Sequence, residues 1–201
     1  MNCVAIINYG VGNVLSIKRS LDYLRIKSII TNDKKKIKNC SHLILPGVGA
    51  FYSAMKLLKE NRLDQVIKDF ANSGKPILGI CLGMQLLFEE SYEFGKWKGL
   101  GILPGKVTKV DIKNENIPIV GWFKIQSEKK KFLEKYNGKY LYLVHSYECR
   151  PYRKKDVIGT YRINKNKILC AVKSENILGF QFHPEKSSFI GLQMLKDFCK
   201  I

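Results

Sequence analysis

The chain is short of acidic residues. It has 17 Asp and Glu against 35 Lys and Arg, a net charge of +18 over 201 residues. It also lacks a long apolar run. The longest, Pro76 to Phe88, is too short to span a bilayer and contains two glycines and a proline. The opening MNCVAIINYG has no basic stretch and no small-residue cleavage site, so it does not read as a signal peptide. Met1 is therefore expected to begin the folded protein, in the cytosol. Among Cys3, Cys40, Cys81, Cys149, Cys170 and Cys199 there is no C-x-x-C pair and no metal-ligand spacing. No bound metal or cofactor is expected, and in a reducing compartment the six should be free thiols that pack as small hydrophobes. No repeat, low-complexity tract or linker divides the chain, so residues 1–201 are read as a single domain.

The surplus positive charge is spread along the chain, with short clusters at Lys34–Lys36, Lys129–Lys131 and Arg153–Lys155. Aromatics are not interleaved with these lysines as a base-stacking platform requires, so no nucleic-acid partner is expected. A solvated surface is the simplest reading, and a docking surface for an acidic partner or substrate is the other.

An apolar content of 45% supports a sizeable core. Residues 3–7, 27–31, 42–45 and 76–80 read as buried strands. Ile17, Leu21 and Leu24 follow the first at helical spacing, and apolar residues from Met55 to Phe70 follow the third. Residues 82–90 read as a helix. Alternating strands and helices of this kind predict a parallel sheet covered on both faces. From about Gly99 shorter strands appear, over 106–112, 139–144, 157–163, 168–172 and 178–182, read as antiparallel or mixed additions. A helix over 189–200 closes the chain. The fold class is α/β, with a mixed, mostly parallel central sheet flanked by helices.

Gly79-Ile80-Cys81-Leu82-Gly83 lies between a buried strand and a helix. This G-x-C-x-G pattern is the setting of a nucleophile elbow, usually written with serine. Glycines permit the sharp turn and the close strand–helix packing. The turn lifts Cys81 out of the sheet at a helix N-terminus, which favours thiolate, and aims the Leu82 amide at an oxyanion. A buried packing cysteine fits the motif alone equally well. Phe180-Gln181-Phe182-His183-Pro184-Glu185 moves the balance. The alternating phenylalanines and the proline predict an extended segment, in which residues i and i+2 share a side. Glu185 would then hold the ring of His183 while the other ring nitrogen serves Cys81. Pro46-Gly47-Val48-Gly49, a glycine turn after the preceding strand, is placed to supply a second oxyanion donor, though a plain strand–helix turn remains open.

PGVGAF (46–51), GICLGMQLLFE (79–89) and FHPEKS (182–187) together resemble the class I, or triad, glutamine amidotransferases, over nearly the whole chain. Within that class NYGVGN (8–13), GLGILPG (99–105), Gly121-Trp122 and VHSY (144–147) look like the glutaminase subunits of imidazole glycerol phosphate synthase. The resemblance implies that Cys81 attacks the side-chain amide of glutamine, that His183 protonates the departing ammonia, and that a γ-glutamyl thioester is hydrolysed. It implies an oxyanion hole at Val48, Gly49 and Leu82, with a loop that switches when the partner is occupied. It implies glutamine held by Gly49, Gln85, Glu93, Ser146 and Tyr147, with Glu93 toward the α-amino group. It implies a heterodimer with a (βα)₈-barrel cyclase facing Asn13, Tyr142 and Lys186, to which ammonia passes through a tunnel. One departure is Phe123, where the family commonly has asparagine. It leaves open a paralogue feeding another synthase, as in surface-sugar amination. A pyridoxal-phosphate-synthase type glutaminase is disfavoured because its GGES-like turn is replaced by PGVGAF. A basic, non-catalytic binding protein on this fold is disfavoured by the intact Cys81, His183 and Glu185. His42 and His145 need no catalytic role and are read as strand packing. Trp97 and Trp122 are read as packing or interface residues.

Overall fold

The computed structural model describes residues 3–112, 117–128 and 132–201. The lysine cluster at 129–131 lies outside them. In chain order the elements are β1 (Val4–Ile7), α1 (Val14–Tyr23), β2 (Ser28–Thr31), α2 (Lys34–Asn39), β3 (His42–Leu45), α3 (Phe51–Glu60), α4 (Leu63–Asn72), β4 (Ile77–Ile80), α5 (Leu82–Leu86), β5 (Phe88–Ser91), β6 (Trp97–Lys98), β7 (Leu103–Lys109), β8 (Ile119–Ser127), β9 (Tyr140–His145), β10 (Tyr147–Pro151), β11 (Val157–Ile163), β12 (Asn166–Ser174), β13 (Ile177–Phe180) and α6 (Ser188–Phe198).

Nine strands form the central sheet in the order β2-β1-β3-β4-β13-β12-β11-β8-β9. Pairings from β2 through β13 are parallel, and those from β13 to β9 are antiparallel. The sheet is thus mixed and helix-flanked as expected, with its parallel character confined to one half. A second sheet, β10-β7-β5-β6, stands beside it. Strand side chains divide between two cores by the period-2 alternation of a pleated backbone. Val4 and Ile6 of β1 pack with α1 and α6, through Ile17, Leu21, Met194, Leu195 and Phe198. Ala5 and Ile7 face the other core, with Ile37, Leu58, Leu63, Ile67 and Phe70 from α2, α3 and α4.

Several local expectations change. The helix expected over 82–90 stops at Leu86, and Phe88–Ser91 is a strand. The strand buries Phe88 and Ser91 and pairs with β7, which a helical continuation forfeits. The apolar stretch from Met55 to Phe70 is two helices, broken where Arg62 takes a left-handed φ of 52°. Strand β8 is missed by the sequence reading although it alternates: Val120, Trp122, Lys124 and Gln126 are exposed, while on the inward side only Ile119 and Ile125 are fully buried. Helix α2 was read only as a lysine cluster; Asp33 caps it, accepting from the amides of Lys35 and Lys36.

The elbow glycines are set by close approach. A Cβ on Gly83 would lie 1.9 Å from the carbonyl oxygen of Leu45, and one on Gly79 2.7 Å from Met84 Cα. Helix α5 therefore sits directly against the ends of β3 and β4. We expect G83A to lose about 3 kcal/mol of stability, because backbone cannot yield as a flexible side chain does. A denaturant midpoint equal to that of the wild type would contradict this packing.

Candidate active site

Cys81 lies between β4 and α5 with φ 54° and ψ −116°, a conformation that residues bearing a Cβ rarely adopt. The strained turn of an elbow is therefore present at the expected residue. Its amide donates to Phe180 O at 2.7 Å and its carbonyl accepts from Met84 and Gln85, so both sides of the turn are fixed. Leu82 is the first residue of α5, where amides have no partner inside the helix. At five residues the helix is short, so its dipole adds less to the thiolate than the sequence reading assumed.

His183 Nδ1 lies 2.8 Å from Glu185 Oε1. The expected pair therefore forms, but not along an extended strand. Pro184–Lys186 is a turn of 3₁₀ helix, and His183 itself is the extended residue before it. The turn is strapped down by Ser187, whose hydroxyl donates to His183 O at 2.6 Å and accepts from Tyr142 N at 3.0 Å. The His183 amide donates to Tyr142 O at 2.9 Å. Because a carboxylate only accepts, Nδ1 carries the proton and Nε2 is free to take one. Nε2 is buried without a hydrogen-bond partner among the described residues, and so is Glu185 Oε2. Burial lowers the His183 pKa, but the Cys81 sulfur and the Glu185 carboxylate outweigh it and raise the value to about 10. The ring is thus poised to hold the thiol proton.

Cys81 and His183 open on one cavity of about 520 Å³, lined also by Val48, Gly49, Leu82, Gln85, Glu93, Ser146 and Tyr147. Every expected oxyanion and glutamine-binding residue therefore falls in the same space. The volume is in the range of small-molecule sites. The loop from 46 to 50 forms one wall. Tyr9 pins it by donating to Pro46 O at 2.9 Å, and Gly49 turns it with φ 89°. Glu93 holds its far end by accepting from the Phe51 amide, and burial raises the Glu93 pKa. Gln85 is more committed than expected. Its Nε2 donates to both Tyr147 O and Gln181 Oε1, each at 3.1 Å. Only its oxygen remains for a ligand.

The three expected partner-facing residues lie near one another beside the His183–Glu185 pair, with Tyr142 6.4 Å from the His183 ring. Asn13 Nδ2 lies 3.5 Å from Glu185 Oε1. Lys186 Nζ sits 6.0 Å over the Tyr142 ring, which is 6.1 Å from Trp122. Val120, Trp122 and Tyr140 are about half exposed on the same outer face of β8 and β9.

His145 does more than pack a strand. Its Nδ1 lies 2.8 Å from Tyr147 O and its Nε2 2.7 Å from the Tyr161 hydroxyl. A carbonyl only accepts, so Nδ1 carries the proton and Tyr161 donates to Nε2. Burial, with the charge of His183, lowers its pKa to about 4. This histidine is neutral when folded, whereas the unfolded one titrates near 6.5. The unfolded chain binds more protons between these values, so stability falls as pH drops from 6.5 to 4. The loss is about 3 kcal/mol. H145Q should lack this part of the acid slope in urea unfolding at pH 7 and pH 4; an unchanged slope would refute the assignment. His42 is a core residue, edge-on to Phe198 at 5.4 Å. Gln181, 3.6 Å from Cys81 Sγ, was overlooked in the sequence. The usable signal was its place two residues before His183, on the same side of an extended chain.

A sheet of this order with a cysteine elbow at one strand end, a histidine–carboxylate pair after the neighbouring strand and a glycine loop beside them defines a triad-type amidotransferase. The chain belongs to the glutamine amidotransferase class-I family, whose model matches residues 5–201. It is 43% identical to the imidazole glycerol phosphate synthase subunit HisH of Wolinella succinogenes, over 98% of this chain and 99% of that one. It is 42% identical to the same-named subunit of Oceanobacillus iheyensis, over 97% of each. Among solved structures, one glutamine amidotransferase superposes with a TM-score of 0.77 at 18% identity, covering 98% of this chain and 99% of that one, a likeness of fold.

Proposed function

We propose that this chain is the glutaminase subunit of an imidazole glycerol phosphate synthase. It hydrolyses L-glutamine to glutamate and ammonia and passes the ammonia to a separate cyclase. The observation that carries the chemistry is the strained Cys81 opening on one cavity with a His183–Glu185 pair.

Cys81 Sγ attacks the side-chain carbonyl carbon as a thiolate, its proton already held on His183 Nε2. The oxyanion is held by the Leu82 amide and the Val48–Gly49 loop. The C–N bond then breaks, and His183 returns the proton to the leaving nitrogen as ammonia. A γ-glutamyl thioester remains on Cys81. Water, deprotonated by His183, attacks it and releases glutamate. Glu93 and Lys109, both lining the cavity, give it the two opposite charges that an amino-acid head carries. The α-ammonium goes to Glu93, and the backbone at Ser146 and Tyr147 receives the rest of the head.

The partner reading is supported by the relatives' names and by the aromatic rim around Asn13, Tyr142 and Lys186. A (βα)₈-barrel cyclase docked there forms a heterodimer and takes ammonia directly, before water protonates it. It turns a phosphoribulosyl formimino intermediate into imidazole glycerol phosphate and aminoimidazole carboxamide ribotide, in histidine biosynthesis. The six cysteines, all free, suit the cytoplasm. Among the described residues no helix is long and apolar enough to cross a membrane.

Phe123 motivates the second reading, a paralogue serving another synthase. Its ring packs inward, 5.1 Å from Tyr161, rather than on the rim beside Trp122. The departure therefore alters core packing more than the docking face, which favours the histidine-pathway reading. The test is reconstitution with the host's cyclase. Glutamine-dependent formation of imidazole glycerol phosphate is the expected result. Binding to a sugar-modifying synthetase, with no product from the cyclase, would establish the paralogue instead.

A further inference from the structure

Besides the triad, one fully buried side chain reaches the attacking atom. Gln181 lies just past β13, its amide donating to Cys170 O at 2.9 Å. Its side-chain Nε2 is 3.6 Å from Cys81 Sγ. A glutamine amide can be turned over, which would put its oxygen on the sulfur, so the neighbours must decide. Tyr147 O is a carbonyl and only accepts. The Gln85 group facing it is therefore the NH₂. The same nitrogen lies 3.1 Å from the Gln181 amide, whose oxygen must then face Gln85. Nitrogen is left for the sulfur.

Val144 O also lies near the sulfur, at 3.8 Å. This carbonyl can accept from the thiol, but it repels the thiolate. The Gln181 N–H does the opposite, since a donor binds a charged acceptor more strongly than a neutral one. We propose that Gln181 is a further catalytic residue, whose side-chain N–H stabilises and aims the Cys81 thiolate for attack. The inference rests on the glutaminase reading and adds a fourth side chain to its machinery. The relay Tyr147–Gln85–Gln181–Cys81 also ties the sulfur to the segment that receives the substrate head.

The test uses Q181M, close in size but without a donor, and Q181E, equal in size but an acceptor. Two quantities are measured. One is the pH dependence of Cys81 alkylation by iodoacetamide on the full chain, with the Cys81 adduct identified by peptide mass. The other is kcat and KM for glutamine with the partner cyclase bound. Both variants should shift the acid limb of alkylation up by about one pH unit and lose about 10- to 100-fold in kcat/KM, mostly in kcat. Circular dichroism identifies a variant that fails to fold, and the other then decides. Folded variants with the wild-type alkylation profile and kcat/KM overturn the role of Gln181. A wild-type chain that hydrolyses no glutamine with the cyclase and alkylates like an ordinary thiol overturns the glutaminase reading beneath it.

Discussion

Replacing Cys81 by alanine should reduce glutamine-dependent activity by about 10⁴-fold or more, while ammonium salts continue to support the partner's reaction at the wild-type rate. The two halves of this result come from separate physical facts. No other thiol can substitute. Cys149 and Cys170 are fully buried with pKa values pushed up by desolvation, and neither lines the cavity. Without the sulfur there is no covalent intermediate, and the remaining oxyanion donors have only water to assist. The fold, however, should survive, because alanine keeps the Cβ that the backbone at φ 54° already accommodates. The docking face is unaltered too, so ammonia from solution can still reach the partner's acceptor site. Loss of both activities in a folded C81A complex would mean that the cysteine is structural, and the elbow reading would fail. C81S separates geometry from nucleophilicity. It keeps the shape, but a hydroxyl with a far higher intrinsic pKa should leave it nearly as inactive.

The parts of this site that were legible in the sequence are those fixed by local stereochemistry. The constraint on Gly83 comes from distant Leu45 O and was not legible, but G-x-C-x-G reads as an elbow because a Cβ on Gly79 would lie 2.7 Å from Met84 Cα, a constraint within the turn itself. His183 and Glu185 were legible for the same reason, although the turn joining them is 3₁₀ rather than extended. The parallel half of the sheet was read from its continuous apolar strands. What escaped depends on contacts between distant segments. Phe88–Ser91 looks helical until β7 is there to pair with it. Gln181 looks like a strand spacer until Gln85, 96 residues away, orients its amide. His145 looks like core until Tyr147 and Tyr161 occupy both its nitrogens. Sequence periodicity carries faces and spacings, while the orientation of a buried amide or the tautomer of a buried imidazole is set by partners brought together only by folding.

Glu185 is the second residue whose loss should be severe. Its side chain is 1% exposed, one oxygen holds His183 Nδ1 and the other has no partner among the described residues. An unpaired carboxylate oxygen in such a place is costly, and it persists because the charge raises the His183 pKa toward 10. E185Q keeps the volume and can still accept from Nδ1–H, but it removes the charge. The folded pKa of His183 should then fall. With it raised, the imidazolium keeps its proton through neutral pH and loses it only as pH climbs through about 10. With the charge gone, only the Cys81 sulfur still opposes burial, and the proton is lost at a lower pH. The ring then no longer stabilises the thiolate in attack or keeps a proton ready for the leaving nitrogen. We expect kcat for glutamine to fall about 10²- to 10⁴-fold with little change in KM. The imidazole resonance of His183, followed by NMR, should titrate at lower pH in the variant. E185D should sit between the two, since it restores the charge but shortens the reach across the turn. If E185Q turned over glutamine at the wild-type rate, the carboxylate would be only a structural anchor for the 183–187 turn. The aim of His183 would then need only the uncharged contact to Nδ1–H and the Ser187 strap.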